Sequence, residues 1–344
     1  MSQDPRTGPN APPPHMQLVQ MSSAFWVSRI LYVAAKLGLA DHLASGPKSS
    51  AELARATQTH PRSLYRLMRT LASLGVLSES ERDRFALTPL GEAMRTGAPG
   101  AARSTILAFG GNWFWRPWEE LEYSIRTGET AMEKTWGMGA FDYLAQDPEA
   151  ASLFNDAMIG VHGSEPAAVA AAYDFSRFGT IVDVGGGTGN LLSTILARHP
   201  GPRGVLFDRP YVVPEASKVL ASRGVSSRVT IEPGDFFERV PTGGDAYVLS
   251  HVIHDWSEEK CLTILGNCRK AMKPDGTLLI VEFVLPPGDE PHFGKILDIV
   301  MLAMPGGEER NEHEYAELLG KAGFQLRRVV PTETQVSVVE ATPA

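Results

Sequence analysis

The stretch Ile181–Asn190, IVDVGGGTGN, decides the fold. An apolar, β-branched run leads into four glycines and then into the helical pattern LLSTILARH, the strand, turn and helix of a nucleotide-type α/β unit. Gly185, Gly187 and Gly189 let the backbone turn sharply and approach a ligand where a Cβ would collide. GGGTG lacks the full GxGxxG spacing, and glycine turns also occur without ligands, so the stretch needs support from elsewhere in the chain.

Downstream, short β-branched runs alternate with helical patterns: TIVDV, GVLFD, VTIEP, AYVLS and TLLIVEF, then a late pair around FQLRRVV and QVSVVEA. Five strands plus a closing hairpin predict a seven-stranded doubly wound sheet with an antiparallel last strand. Asp183 and the glycines end the first strand. Asp208 ends the second, 25 positions later, where an acid can accept both ribose hydroxyls. Asp235 follows the third, placed to accept from an adenine amino group while Phe236 lines the base. Each aspartate alone reads as a surface-turn residue, but three strand ends in order point to one cofactor site. The glycine spacing and the sheet ending fit S-adenosylmethionine better than a dinucleotide, which needs a pyrophosphate seat at the helix N-terminus.

Upstream, residues 1–15 hold five prolines and no periodicity and are expected to be a disordered tail. In AFWVSRILYVAA, 24–35, apolar residues occupy nearly every face, which predicts a helix covered on several sides, a second subunit included. Residues 49–90 read as a winged helix-turn-helix, with Leu64, Leu67, Met68, Leu71 and Leu74 on one helical stripe and a two-stranded wing after Gly75. Arg62, Arg66 and Arg69 on the opposite face raise a DNA-binding reading. A formal charge of −8 gives no general attraction for phosphate backbones or anionic membranes, so a packing and dimerisation module is preferred and no nucleic acid is expected. Residues 101–172 are mainly helical and hold four of the six tryptophans. Phe109, Trp113, Trp115 and Trp118, beside Gly110 and Gly111, read either as core or as the wall of a pocket.

The chain shows no signal-peptide pattern and no apolar run of about 20 residues, which predicts a cytoplasmic protein without a membrane partner. Cys261 and Cys268 fall about 10 Å apart along one predicted helix, too far to form a disulfide. The histidines show no metal-ligand spacing, and no metal site is expected.

GGGTGN, FDRPYVV, GDFF, SHVIHDWSEEKC and MPGGEER together make the chain resemble the plant-type small-molecule O-methyltransferases, which include caffeic-acid-type enzymes and bacterial polyketide tailoring enzymes. The resemblance spans about residues 16–340. It implies a winged-helix dimerisation domain (16–100), a helical linker and substrate-pocket region (101–172), a Rossmann-like class I methyltransferase domain (173–344), and a homodimer. It places the catalytic histidine on His254, flanked by Glu282 and Glu309, with Ser250 and His251 beside the cofactor. Many relatives carry lysine or arginine where His251 stands. The acceptor wall falls on Phe109, Asn112, Trp113, Trp115, Phe154, Met158, Asp298, Met301 and Met304, a wide, apolar and polarizable set. Asp255 and Trp256 are read as shaping a turn. The expected reaction is methylation of a hydroxyl on a small aromatic acceptor. The alternatives are a carbon- or nitrogen-methylating or non-methylating relative, or a winged-helix regulator with a relict enzyme domain.

Overall fold

The computed structural model describes residues 12–210 and 212–344, so most of the expected N-terminal tail lies outside it. The end of that tail differs from expectation: a helix, Pro14–Ser23, already includes Pro14 and His15. Proline suits the first helical position, where its missing N–H would have no intrahelical partner. The contacts divide the chain into two compact units. One runs through Trp115 and takes in Asp147–Val161; the other comprises Arg116–Gln146 and His162–Ala344. Segment 101–172 is therefore shared between the two units.

In the first unit, the helix Ser50–Thr57 starts with a capping box: Glu52 N donates to Ser49 Oγ and Ser49 N to the Glu52 carboxylate. The next helix, Pro61–Ser73, buries Leu64, Met68 and Leu71, each worth about 1.5–3 kcal/mol relative to exposure. Strands β1 (Lys48–Ser49), β2 (Leu77–Glu81) and β3 (Arg84–Leu87) form an antiparallel sheet in the order β1-β3-β2, the predicted wing with one added strand. Within the single chain only Ala34 and Ala35 of the helix Phe25–Lys36 are buried, which leaves the face expected to meet a second subunit uncovered. Phe25 and Val33 are exposed, and Trp26 is 61% exposed. Residues Pro14–Lys36 together are long and apolar enough to cross a membrane by length and composition, which the sequence reading did not anticipate.

The second unit is built on β4 (Thr180–Val184), β5 (Arg203–Asp208), β6 (Val229–Pro233), β7 (Ala246–Ser250), β8 (Thr277–Phe283), β9 (Phe324–Pro331) and β10 (Val336–Pro343), in the order β6-β5-β4-β7-β8-β10-β9. Strands β4 to β8 pair in parallel, and β10 runs antiparallel to both β8 and β9. Every residue of β8 is buried, as a central strand packed on both faces requires. The strand order reverses between β4 and β7. The carboxyl ends of those two strands therefore open the crevice in which doubly wound sheets hold ligands.

Candidate active site

The glycine turn stands at the end of β4. Gly185, Gly187 and Gly189 all have left-handed φ. A Cβ on Gly186 would lie 2.4 Å from Leu206 Cδ1 and 2.6 Å from the Asp183 carboxyl carbon, so this glycine, passed over in the sequence reading, has no room for a side chain. A Cβ on Gly185 would sit 2.8 Å from Val252 and 3.5 Å from the Phe236 ring, which brings Phe236 to the turn as expected.

Three carboxyl groups surround this cradle. Asp183 is buried, and neither of its oxygens has a hydrogen-bond partner among the described residues. Burial, reinforced by Asp208, pushes its carboxyl up to about 7. Asp208 Oδ2 accepts from Gly187 N at 2.7 Å and Oδ1 from Arg209 N at 2.6 Å, and burial still holds its pKa above the ordinary value. Asp235 is engaged differently from expectation: Oδ2 accepts from the Arg209 guanidinium at 2.5 Å and Oδ1 from Phe237 N at 2.9 Å. A cradle that a Cβ would fill, an orphaned buried carboxyl and strand-end acids fit a cationic adenosyl ligand such as S-adenosylmethionine.

His254 lies in the tight turn after β7, 6% exposed. Its Nδ1 meets Glu309 Oε1 at 2.6 Å, and its Nε2 stands 3.7 Å from Asp255 Oδ1. Burial draws the imidazole pKa down, but Asp255, the Glu309 hydrogen bond and Glu282 outweigh it and hold it up at about 10. Burial pushes Asp255 up to about 6, with His254 pulling it back.

Glu282 holds a different post from the one expected, because none of its hydrogen bonds goes to the imidazole. Its Oε1 accepts from the backbone N–H groups of Val252, Ile253 and His254 at 3.0, 2.7 and 3.2 Å, and Oε2 accepts from Tyr315 Oη at 2.5 Å. From the end of β8 it pins the backbone that carries His254. Glu309 is seated by Asp298, whose Oδ1 accepts from Glu309 N at 2.9 Å. The loop is tied to the histidine as well: Glu308 N donates to His254 O at 2.8 Å. A Cβ on Gly307 would lie 1.9 Å from that carbonyl oxygen.

The expected acceptor-wall residues fall in both units. In the first, Phe109 stacks on Phe114, Trp113 meets Phe154 edge to face, Arg29 lies over the Trp115 ring, Asn112 is exposed and Met158 half-buried. In the second, Asp298 and Met301 lie on the helix Phe293–Ala303, with Met304 next, and both methionines are buried. Ser250 ends β7. His251 follows in a left-handed conformation, φ 52°, with Nε2 2.9 Å from Glu165 Oε2. Sequence reasoning missed Glu165, Tyr315 and Gly307. Only Gly307 carried a local signal, as half of the glycine pair in MPGGEER.

Comparison with known proteins agrees with this fold. Residues 118–325 match the O-methyltransferase domain and residues 19–97 the O-methyltransferase dimerisation domain. The chain is 46% identical to a phenazine O-methyltransferase of Lysobacter antibioticus over 343 residues, covering 100% of both chains. It is 34% identical to a phenazine-1-carboxylate N-methyltransferase of Pseudomonas aeruginosa, over 93% of this chain and 96% of that one. An O-methyltransferase from neocarzinostatin biosynthesis, crystallised with S-adenosylmethionine and 2-hydroxy-5-methyl naphthoic acid, superposes with TM-score 0.81 at 33% identity, covering 92% of this chain and 96% of that chain. With a dimerisation module, a seven-stranded class I sheet and matches along nearly its whole length, the chain belongs to the plant-type family of S-adenosylmethionine-dependent small-molecule O-methyltransferases.

Proposed function

We propose that this protein, acting in the cytoplasm as a homodimer, methylates a hydroxyl group on a small aromatic secondary metabolite, with His254 as general base. The observation that carries the reading is the 2.6 Å bond between His254 Nδ1 and Glu309, which fixes one ring nitrogen and leaves Nε2 for the acceptor proton. S-adenosylmethionine supplies, when bound, a methyl group on a sulfonium that requires only an aligned nucleophile. The protein's task is to ready the oxygen. A free phenol near pKa 10 passes its proton to a free imidazole near 6.5 uphill by about 5 kcal/mol. An imidazole held up at about 10 by Asp255 and Glu309 removes most of that gap. The proposed cofactor contacts are Asp183, the glycine turn, Asp208, Asp235, Phe236, Ser250 and His251, with Arg209 releasing Asp235 to the adenine.

Fused aromatic acceptors, hydroxyphenazines first, are the proposed substrates, by analogy with the 46% identical phenazine enzyme. The N-methylating relative makes nitrogen the second reading. The two separate by product analysis. Purified enzyme is incubated with isotopically labelled S-adenosylmethionine and a hydroxyphenazine, and in parallel with phenazine-1-carboxylate, and the products are examined by NMR. An O-methyl ether from the first and no product from the second is the expected result. A methyl group on a ring nitrogen would replace this reading with the second.

A further inference from the structure

The hydroxyl of Tyr315 joins two pieces of the site that the chain delivers separately. Tyr315 lies one turn into the helix Glu312–Lys321, which follows the loop carrying Glu309. A capping box starts that helix: Glu314 N donates to Asn311 Oδ1 at 3.0 Å and Asn311 N to Glu314 Oε2 at 2.8 Å. Tyr315 N donates to Asn311 O at 3.0 Å, so its ring leaves the helix at a fixed place relative to the loop. The segment between Glu309 and the helix is also fastened to the chain beyond β8, where Leu285 N donates to Arg310 O at 3.0 Å. Fully buried, Tyr315 reaches back to the end of β8 and donates from Oη to Glu282 Oε2 at 2.5 Å. Burial, with the Glu282 and Glu309 carboxylates beside it, holds the phenol pKa well above the usual value, so the hydroxyl keeps its proton and stays the donor.

Glu282 is itself fully buried, and a carboxylate taken out of water needs donors on both oxygens. Three backbone N–H groups of residues 252–254 serve Oε1, and Tyr315 serves Oε2. Phenylalanine would fill the same space, so the hydroxyl contributes this bond rather than packing. We propose that Tyr315 is a positioning residue: by holding Glu282 it keeps the turn that carries His254 in register with the loop that carries Glu309. The contact that this register sets is the 2.6 Å bond between His254 Nδ1 and Glu309 Oε1. Without the hydroxyl, Glu282 Oε2 is buried with no donor; the carboxylate shifts off the three N–H groups, and the imidazole turns from Glu309. The titratable groups facing the imidazole are Asp255 in its own turn, Glu282, Glu309, His251 and His162, with Arg310 behind Glu282. Replacing Tyr315 by phenylalanine alters none of them except through position.

The inference rests on His254 as the base, and its test separates the two. In full-length protein labelled with ¹⁵N-histidine, the His254 ring, assigned by its absence from His254→Ala, is titrated by NMR in wild type and Tyr315→Phe. Burial draws this imidazole pKa down, while Asp255, the Glu309 hydrogen bond and Glu282 hold it up. With the last two loosened, the midpoint should fall by at least about half a pH unit. Turnover of a hydroxyphenazine should lose about tenfold in kcat, as misplacement of a catalytic group produces, with KM and S-adenosylmethionine affinity within about twofold. Added to Glu282→Gln, Tyr315→Phe should change kcat by less than about twofold, because it acts through that carboxylate. A variant that melts at lower temperature with the His254 midpoint and kcat unchanged would reduce Tyr315 to packing and overturn the proposal. A further tenfold loss on top of Glu282→Gln would overturn it as well. Undiminished turnover in His254→Ala would instead remove the base, and the ring titration would still read what Tyr315 does to the imidazole.

Discussion

His254 is held from three sides by acids doing different work: Glu309 on Nδ1, Asp255 toward Nε2, and Glu282 on the backbone N–H groups of residues 252–254. Because these acids raise the imidazole pKa, the free enzyme carries a protonated His254 at neutral pH and becomes competent as the proton leaves. kcat/KM for a phenolic acceptor should therefore climb with pH from about 7 toward about 10. In Glu309→Gln the inflection should move to lower pH while kcat falls by about 10²-fold, because the base is both weaker and less firmly oriented. A profile and rate matching the wild type would remove Glu309 from the mechanism. Asp183 offers a separate reading. Its carboxyl is raised in the folded protein from 3.8 to about 7, so its contribution to stability is full below the lower value and is lost as pH rises through the upper. Cofactor-free wild type should lose melting temperature across that window more steeply than Asp183→Asn. Parallel melting curves would contradict the assignment.

At the scale of elements, the loop that delivers Glu309 depends on Gly307, where even one methyl group meets the His254 carbonyl. Gly307→Ala should cost about 1–3 kcal/mol of stability through overpacking and reduce turnover further by displacing Glu309; thermal melts and kcat measure the two effects. An active, fully stable variant would show that the loop yields freely. The strands themselves were legible in the sequence. TLLIVEF is a continuous apolar run because both of its faces are buried, and GGGTG marks the turn because side chains there collide. The partners of the site acids were less so. Glu282 reads as one more strand-end acid, and nothing local tells that it accepts three backbone N–H groups, since its targets lie 28 to 30 residues away. Asp255 was visible and lies in the turn as read, but HDW does not disclose that its carboxylate stands 3.7 Å from His254 Nε2. Asp235 was placed correctly at the end of a strand, but its pairing with Arg209 depends on side-chain packing rather than spacing.

Across the whole molecule, the exposed apolar residues of Pro14–Ser23 and Phe25–Lys36 need cover, and the dimerisation domain that spans residues 19–97 points to a second copy of the chain. Trp26 and Met21, 61% and 71% exposed in the single chain, are the natural anchors. Sedimentation should show a dimer for the wild type and dissociation or aggregation for Met21→Asp/Trp26→Asp, whereas an unchanged dimer in that variant would place the interface elsewhere. The most direct measurement compares wild type with His254→Ala for both turnover of a hydroxyphenazine and calorimetric affinity for S-adenosylmethionine. Methyl transfer should fall by about 10²–10⁴-fold while cofactor affinity stays within about twofold. Methyl transfer at a comparable rate in His254→Ala would contradict the assignment of His254 as base.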